Sequence, residues 1–195
     1  MGEGDRERWD ARHQQAAPVL AVDSFVAAAL DRLGPGAGRR ALDLASGTGR
    51  HALELARRAW RTEAWDVSPV GLAVLAERAA AQGLEVATRT MDLVGQTPAP
   101  SGGEALLWGA QPRPFDLVVL VNFLERPLLA RLPELVLPGG HLLFVTFTED
   151  RPGTKPPLAY CLARGELARG LEGLEPFEVL AVEESAGRAG LLGRR

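Results

Sequence analysis

Residues 41–50 read Ala-Leu-Asp-Leu-Ala-Ser-Gly-Thr-Gly-Arg. A short apolar run holding one acid is followed by two glycines one residue apart. His51-Ala-Leu-Glu-Leu-Ala-Arg-Arg58 then brings Ala52, Leu53, Leu55, Ala56 and, just beyond, Ala59 to one face at the helical period. The stretch therefore reads as a strand over 40–44, a tight turn, and a helix starting near Gly49. Glycine at 47 and 49 permits the turn and lets a ligand approach the backbone closely.

The same alternation extends outward. A helix is predicted from Asp23 or Ser24 to Leu33, and Gly34-Pro-Gly-Ala-Gly38 breaks it. A second strand runs over 61–65 and ends at Asp66. Ser68-Pro69 starts a helix that reaches about Gln82, where Gly83 stops it. Residues 85–90 form a third strand. Residues 95–114 are rich in Pro and Gly and read as irregular, with a helical turn at 104–108. Phe115-Asp-Leu-Val-Val-Leu-Val121 is apolar on both faces, so it is a central parallel strand. A helix is predicted over 127–135, a tight turn at Pro138-Gly-Gly140, a strand over 141–147, a loop over 151–157 and a helix over 158–171. Strands follow near 177–183 and 189–194. Only five residues separate Glu183 from Ala189, too few for a parallel crossover, so these two form an antiparallel hairpin. The sum is an α/β fold with a mostly parallel sheet covered on both sides. It forms one domain over 1–195, with a helical lid segment over 1–34 and a core over 40–195.

Ligands of open α/β sheets bind beyond the carboxyl ends of the strands. Three acids lie at or near those ends. Asp43 precedes the glycine turn, Asp66 follows the second strand, and Asp92 follows the third. An isolated Asp after a strand is more often a helix cap or a solvated charge. The order and spacing of all three carry the functional reading. Asp66 can accept from both hydroxyls of a ribose, and Asp92 from an adenine amino group. Gly47-Thr-Gly49-Arg-His-Ala52 also satisfies the dinucleotide pattern with alanine last. Two features speak against NAD. The Asp43 carboxylate is badly placed beside a pyrophosphate, and the terminal hairpin is foreign to that pattern.

Composition narrows the partners. The chain has 195 residues and a net charge of −3, so there is no general basic surface for nucleic acid. Cys161 is the sole cysteine, which excludes an intrachain disulfide and fits a cytoplasmic setting. No apolar run approaches a membrane span, and the charged N-terminus does not read as a secretory signal. Three scattered histidines and one cysteine lack ligand spacing, so no metal is expected.

Ala41 to Arg50 resembles the first motif of class I S-adenosylmethionine-dependent methyltransferases. Trp65-Asp-Val-Ser-Pro-Val-Gly-Leu72 resembles their second-strand motif. Residues 115–128 and 137–147 resemble their fourth and fifth strands. Asn122-Phe-Leu-Glu-Arg-Pro-Leu128 and Thr146-Phe-Thr148 are most similar to the tellurite-resistance subgroup, as is the opening Arg8-Trp-Asp-Ala-Arg12. One departure is Ser46, where many relatives carry Cys. The resemblance implies a Rossmann-like sandwich with strand order 3-2-1-4-5-7-6. It places Asp43, Ala45, Ser46, Gly47 and Gly49 around the methionine end of the cofactor. It places Asp66 and Val67 at the ribose, Asp92 and Leu93 at the adenine, and Val121 and Asn122 near the amino group and the methyl.

The expected activity is methyl transfer to a small molecule, a thiol or a chalcogen oxyanion, leaving S-adenosylhomocysteine. An NAD-dependent oxidoreductase and a non-catalytic S-adenosylmethionine-binding protein are the alternatives. Trp9, Arg12, Phe123 and Arg126 are the candidates for the acceptor side. Arg126 reads equally well as a solvent-facing ion pair at a helix start. His51 and His141 read as structural. A soft nucleophile needs little or no general base, and no residue is assigned as one.

Overall fold

A computed structural model describes residues 3–14, 21–94, 113–185 and 187–195. In chain order the elements are α1 (Glu3–Gln14), α2 (Ser24–Leu33), β1 (Arg40–Leu44), α3 (Arg50–Arg57), β2 (Arg61–Asp66), α4 (Pro69–Ala80) and β3 (Val86–Thr90). They continue with β4 (Phe115–Val121), α5 (Arg126–Leu129), α6 (Leu132–Leu135), β5 (Val136–Phe147), α7 (Glu166–Arg169), β6 (Glu178–Ser185) and β7 (Arg188–Arg194). The irregular segment and helical turn expected within 95–112 lie outside the described residues.

Among the described residues the strands form one seven-stranded sheet in the order β3-β2-β1-β4-β5-β7-β6. β3, β2, β1, β4 and β5 run parallel, and β7 is antiparallel to both β5 and β6. This is the order the methyltransferase resemblance implies. The antiparallel end is where it parts from a dinucleotide-binding sheet.

β4 shows why both faces are covered. Leu117, Val119 and Val121 pack with Val26 and Leu30 of α2 and Leu55 of α3 on one side. Val118 and Leu120 pack with Trp65, Phe144, Leu128 and Leu132 on the other. Every one of them is buried, each contributing about 1.5–3 kcal/mol of apolar burial. α3 and α4 close over Ala64 of β2 through Ala52, Leu53, Leu72 and Leu75.

Three expectations are corrected. The helix predicted over 127–135 is two single turns, α5 and α6. Pro133 has no amide hydrogen to continue the ladder and disfavours helical geometry at the residue before it. The helix predicted over 158–171 reduces to a 3₁₀ turn at Leu158–Tyr160 and the four residues of α7. Gly165 and Gly170 flank α7 with φ of 70° and 100°, left-handed values at which a helix cannot continue. Finally, Pro138-Gly-Gly140 does not precede the fifth strand but lies inside it. β5 begins at Val136, and its register against β4 shifts between Phe115 and Leu117.

Among the described residues no helix is long and apolar enough to cross a membrane.

Candidate active site

β1 ends at Leu44, and the backbone turns at once. Ala45 has φ 53°, an unusual left-handed value for a residue with a side chain. Gly47 and Gly49 follow with φ of 55° and 82°. The loop is pinned from inside by the Gly49 amide on the Ser46 carbonyl at 2.9 Å, and from β2 by the Ser46 amide on the Trp65 carbonyl at 3.2 Å. The two glycines serve different ends. A Cβ on Gly49 would stand 2.1 Å from Leu75 Cδ1, so this position is closed by core packing. A Cβ on Gly47 would meet only the His13 ring, at 3.4 Å.

Gly49 caps α3 without a side chain. Asp43, from within β1, supplies the missing acceptor: its Oδ2 takes the Ala52 amide at 2.9 Å. The side chain is 2% exposed. Burial pushes its carboxyl up to about 7, the Ala52 hydrogen bond opposes this, and the Asp66 charge reinforces it.

Asp66 joins two strand ends. Its Oδ2 accepts the Gly47 amide and its Oδ1 the Ser68 amide, both at 2.8 Å. The Met91 amide donates to the Asp66 carbonyl at 2.8 Å, which draws in the end of β3. There Asp92 folds over the Val94 amide at 2.9 Å, and Leu93 is buried in the core. Val67 is half-buried in the turn between Asp66 and Ser68. Asn122 follows β4 with φ 61°, its amide on the Val145 carbonyl at 2.8 Å. The carboxyl ends of β1 to β4 thus carry Asp43, Ala45, Ser46, Gly47, Gly49, Asp66, Asp92, Leu93, Val121 and Asn122 at one edge of the sheet.

The acceptor-side candidates make contacts of their own. Trp9 stacks on His13 at 5.7 Å, and the Arg12 guanidinium lies 5.1 Å from the Trp9 ring centroid. Arg126 makes a two-point pair with Glu166 at 2.6 and 3.2 Å, linking α5 to α7. Phe123 packs against the core.

Two neighbours of those candidates, Asp10 and His13, reach the loop instead. Ser68 Oγ accepts the Gly71 amide at 3.0 Å as the cap of α4 and gives its one hydrogen to Asp10 Oδ1 at 2.5 Å. The 3.1 Å contact with His13 Nδ1 therefore requires the histidine to donate. Its Nε2 then holds a lone pair on the side of Gly47. Burial lowers the His13 pKa, opposed chiefly by Asp66. The signal for this pair was present in the sequence as an Asp and a His three residues apart on one helix. His51, by contrast, is 4% exposed and accepts the Asp23 amide at 3.4 Å. Burial and the Arg50 charge push its pKa to about 3, so it is neutral and structural. Among the described residues no cluster of three or more metal-ligating side chains occurs.

Residues 41–140, half of the chain, match the family described as a methyltransferase domain. No curated protein matches the sequence significantly. Among solved structures the chain is similar to TehB from Haemophilus influenzae, with a TM-score of 0.70 and 20% identity. That match covers 97% of this chain and 66% of TehB, so the chain spans just under two thirds of that protein. It is also similar to a SAM-dependent methyltransferase from Aquifex aeolicus, with a TM-score of 0.67, 18% identity and coverage of 97% and 98%. A third similar structure is the DhpI-SAM-HEP complex, with a TM-score of 0.65, 23% identity and coverage of 99% and 97%. The chain belongs to the methyltransferase-domain family, and its fold is the one that these solved structures share.

Proposed function

We propose that the chain methylates a small-molecule acceptor that is a soft nucleophile, a thiol or a chalcogen oxyanion. The observation that carries the cofactor side of this reading is the tie between Asp66 and Gly47, which gathers the ends of β1 and β2 around one loop. Two further features fit a polar ligand there. The Ser46 hydroxyl is buried with no hydrogen-bond partner in the structure, and a Cβ at Gly47 would have only the His13 ring within 4 Å. DhpI, similar in fold, is solved with SAM, which supports the same donor here.

When bound, the cofactor supplies an electrophilic methyl on a sulfonium. Ala45, Ser46, Gly47 and Gly49 hold its methionine end, and Asp43 acts by fixing the start of α3. Each Asp66 oxygen has accepted one amide and keeps capacity for one ribose hydroxyl. Val67 borders that ribose, Asp92 and Leu93 the adenine, and Val121 and Asn122 the methyl. Transfer is an in-line displacement, so positioning supplies much of the rate. His51 is engaged and neutral, and a soft nucleophile needs no general base. A single, buried cysteine supports a reducing, cytoplasmic setting.

The test is calorimetry followed by a labelled-methyl assay on a thiol, selenite, tellurite and a small amine. Micromolar binding of S-adenosylmethionine or S-adenosylhomocysteine and transfer to the sulfur or chalcogen acceptors are expected. Absence of binding, or transfer to the amine alone, overturns the reading.

A further inference from the structure

The end of the sheet away from the cofactor loop is basic. β1 starts at Arg40 and β2 at Arg61, paired in register, and Arg39 stands just ahead of Arg40. Arg113 comes just before β4, and His141 of β5 is level with Leu117 of β4. Because β7 is antiparallel, its last residue, Arg194, lies at this same end, in register with His141. Arg195 follows, its amide on the Gly140 carbonyl at 2.9 Å. From β2 to β7 the row crosses four strand spacings, about 19 Å.

Few of these charges are met by an acid. Glu63 takes Arg40 and Glu178 takes Arg194, each at 2.8 Å, and Asp116 accepts the Arg40 amide at 2.9 Å. Arg57 and Arg58, at the end of α3, are balanced by Glu54 and Asp31. Glu85 is exposed just before β3. Among the described residues Arg39, Arg61, Arg113 and Arg195 form no ion pair with a carboxylate. Three of them, Arg61, Arg113 and Arg195, are exposed. Arg39 and Arg40 are held by stacking, their guanidinium carbons 4.5 Å and 4.3 Å from the ring centroids of Trp60 and Phe115. Arg39 also donates to the Gly36 and Pro35 carbonyls at 3.1 Å, and Arg195 to the Val136 carbonyl at 2.5 Å. Burial lowers the pKa of His141, and Arg39 and Arg194 lower it further. The net charge of −3 hides this end, because it sums the whole chain.

We infer that the amino end of the sheet is a docking surface for a polyanion, the phosphodiester backbone of a nucleic acid, remote from the methyl-transfer site. A guanidinium is a planar fork that meets phosphate oxygens two at a time. A protein partner would call for an apolar centre to the contact. The exposed large apolar residues among the described ones are Leu158, Tyr160, Val179 and Val182, and none of them lies between Arg61 and His141. Trp60 and Phe115 are buried beneath Arg39 and Arg40, so neither ring offers its face to a base. Binding is therefore by charge, independent of base sequence, and weakens as salt releases fewer counterions. It holds the protein on the polymer while the cofactor loop stands at the opposite end.

The test is fluorescence anisotropy of labelled single-stranded oligouridine and oligothymidine, titrated with the full chain at rising salt. The wild type is expected to bind one or both with a dissociation constant on the order of 10⁻⁵ M in low salt. If the four uncommitted arginines each neutralise one phosphate, log affinity falls against log salt with a slope of about −3. Arg61→Glu with Arg113→Glu is expected to weaken binding at least about tenfold and to halve that slope. Arg164→Glu with Arg169→Glu changes the net charge equally, on exposed residues beyond the carboxyl end of β5, and is expected to weaken binding no more than about twofold. Thermal melting checks that each variant is folded, and Arg61→Gln with Arg113→Gln replaces the first pair if it is not, with a loss of about threefold or more expected. Absence of binding by the wild type in low salt overturns the inference, as does an equal loss in the two pairs. Displacement of the oligonucleotide by polyglutamate at equal charge concentration also overturns it, since the surface would then suit an acidic polypeptide.

Discussion

The Asp66 carboxylate and the Gly47 amide, 2.8 Å apart, tie the end of β2 to the loop that follows β1. The other carboxylate oxygen holds the Ser68 amide, so one buried side chain satisfies two loop amides. Asp66→Ala leaves both without their partner, which is expected to cost about 2 kcal/mol or more of stability. S-adenosylhomocysteine affinity should fall about tenfold or more, on the scale of charge-assisted hydrogen bonds. Thermal melting and calorimetry check the two effects separately, and an unchanged affinity in a folded variant removes Asp66 from the ribose.

Asp43 gives the stability a pH dependence of definite sign. Its carboxyl titrates near 3.8 in an unfolded chain and near 7 in the fold. Between those values the folded protein keeps a proton that the unfolded chain has lost. The Asp43 contribution therefore favours folding at low pH and is lost as pH rises through about 7. Asp43→Asn can keep the hydrogen bond to the Ala52 amide without the buried charge. Relative to wild type it is expected to gain on the order of 2 kcal/mol between pH 5 and pH 8. Urea unfolding across that range is the measurement, and parallel curves for the two proteins would refute it.

Gly49 and Gly47 should respond differently to the same substitution. Gly49→Ala drives a methyl into Leu75 and strains a φ of 82°, with an expected loss of about 3 kcal/mol. Gly47→Ala meets only the His13 ring at van der Waals distance, so it costs about 1 kcal/mol for its backbone conformation. Its larger effect should fall on cofactor affinity, because the added methyl stands between the loop and the His13 ring, where the methionine end is proposed to lie. Denaturant unfolding and calorimetry of both variants check the contrast.

The hold of α1 on the loop is concentrated in one hydroxyl. Ser68 Oγ serves the Gly71 amide, Asp10 and His13 together. Ser68→Ala is expected to cost about 1 kcal/mol through the lost helix cap. It should also speed hydrogen exchange in residues 3–14 by about tenfold while leaving β4 and β5 unchanged. Equal protection of α1 in both proteins would show that other contacts hold it.

The strands were legible because their signals are local. Leu117 to Val121 is apolar throughout, and the short gap before Ala189 permits only a hairpin. The helices over 127–135 and 158–171 were misread for an equally local reason. Their Leu and Ala content favours a helix, but Pro133, Gly165 and Gly170 interrupt it. Arg188 could not be read from its surroundings, since its partners Asn122 and Asp23 lie 66 and 165 positions away. The raised carboxyl of Asp43 was equally hidden, because it arises from burial under α3, and Ala45 carried no mark of its left-handed backbone.

β7 lies between β5 and β6, both of which precede it in the chain. The sheet is therefore completed by insertion rather than by addition at its margin. A folding intermediate lacking residues 188–194 leaves β5 as an open edge and β6 with no strand to pair with, and β6 carries the exposed Val179 and Val182. Such an intermediate is a template for association with other chains. The segment it lacks also brings Arg188, so the strand that removes the sticky edge is the strand that ties Asp23 to Asn122. A molecule cannot acquire the one without the other.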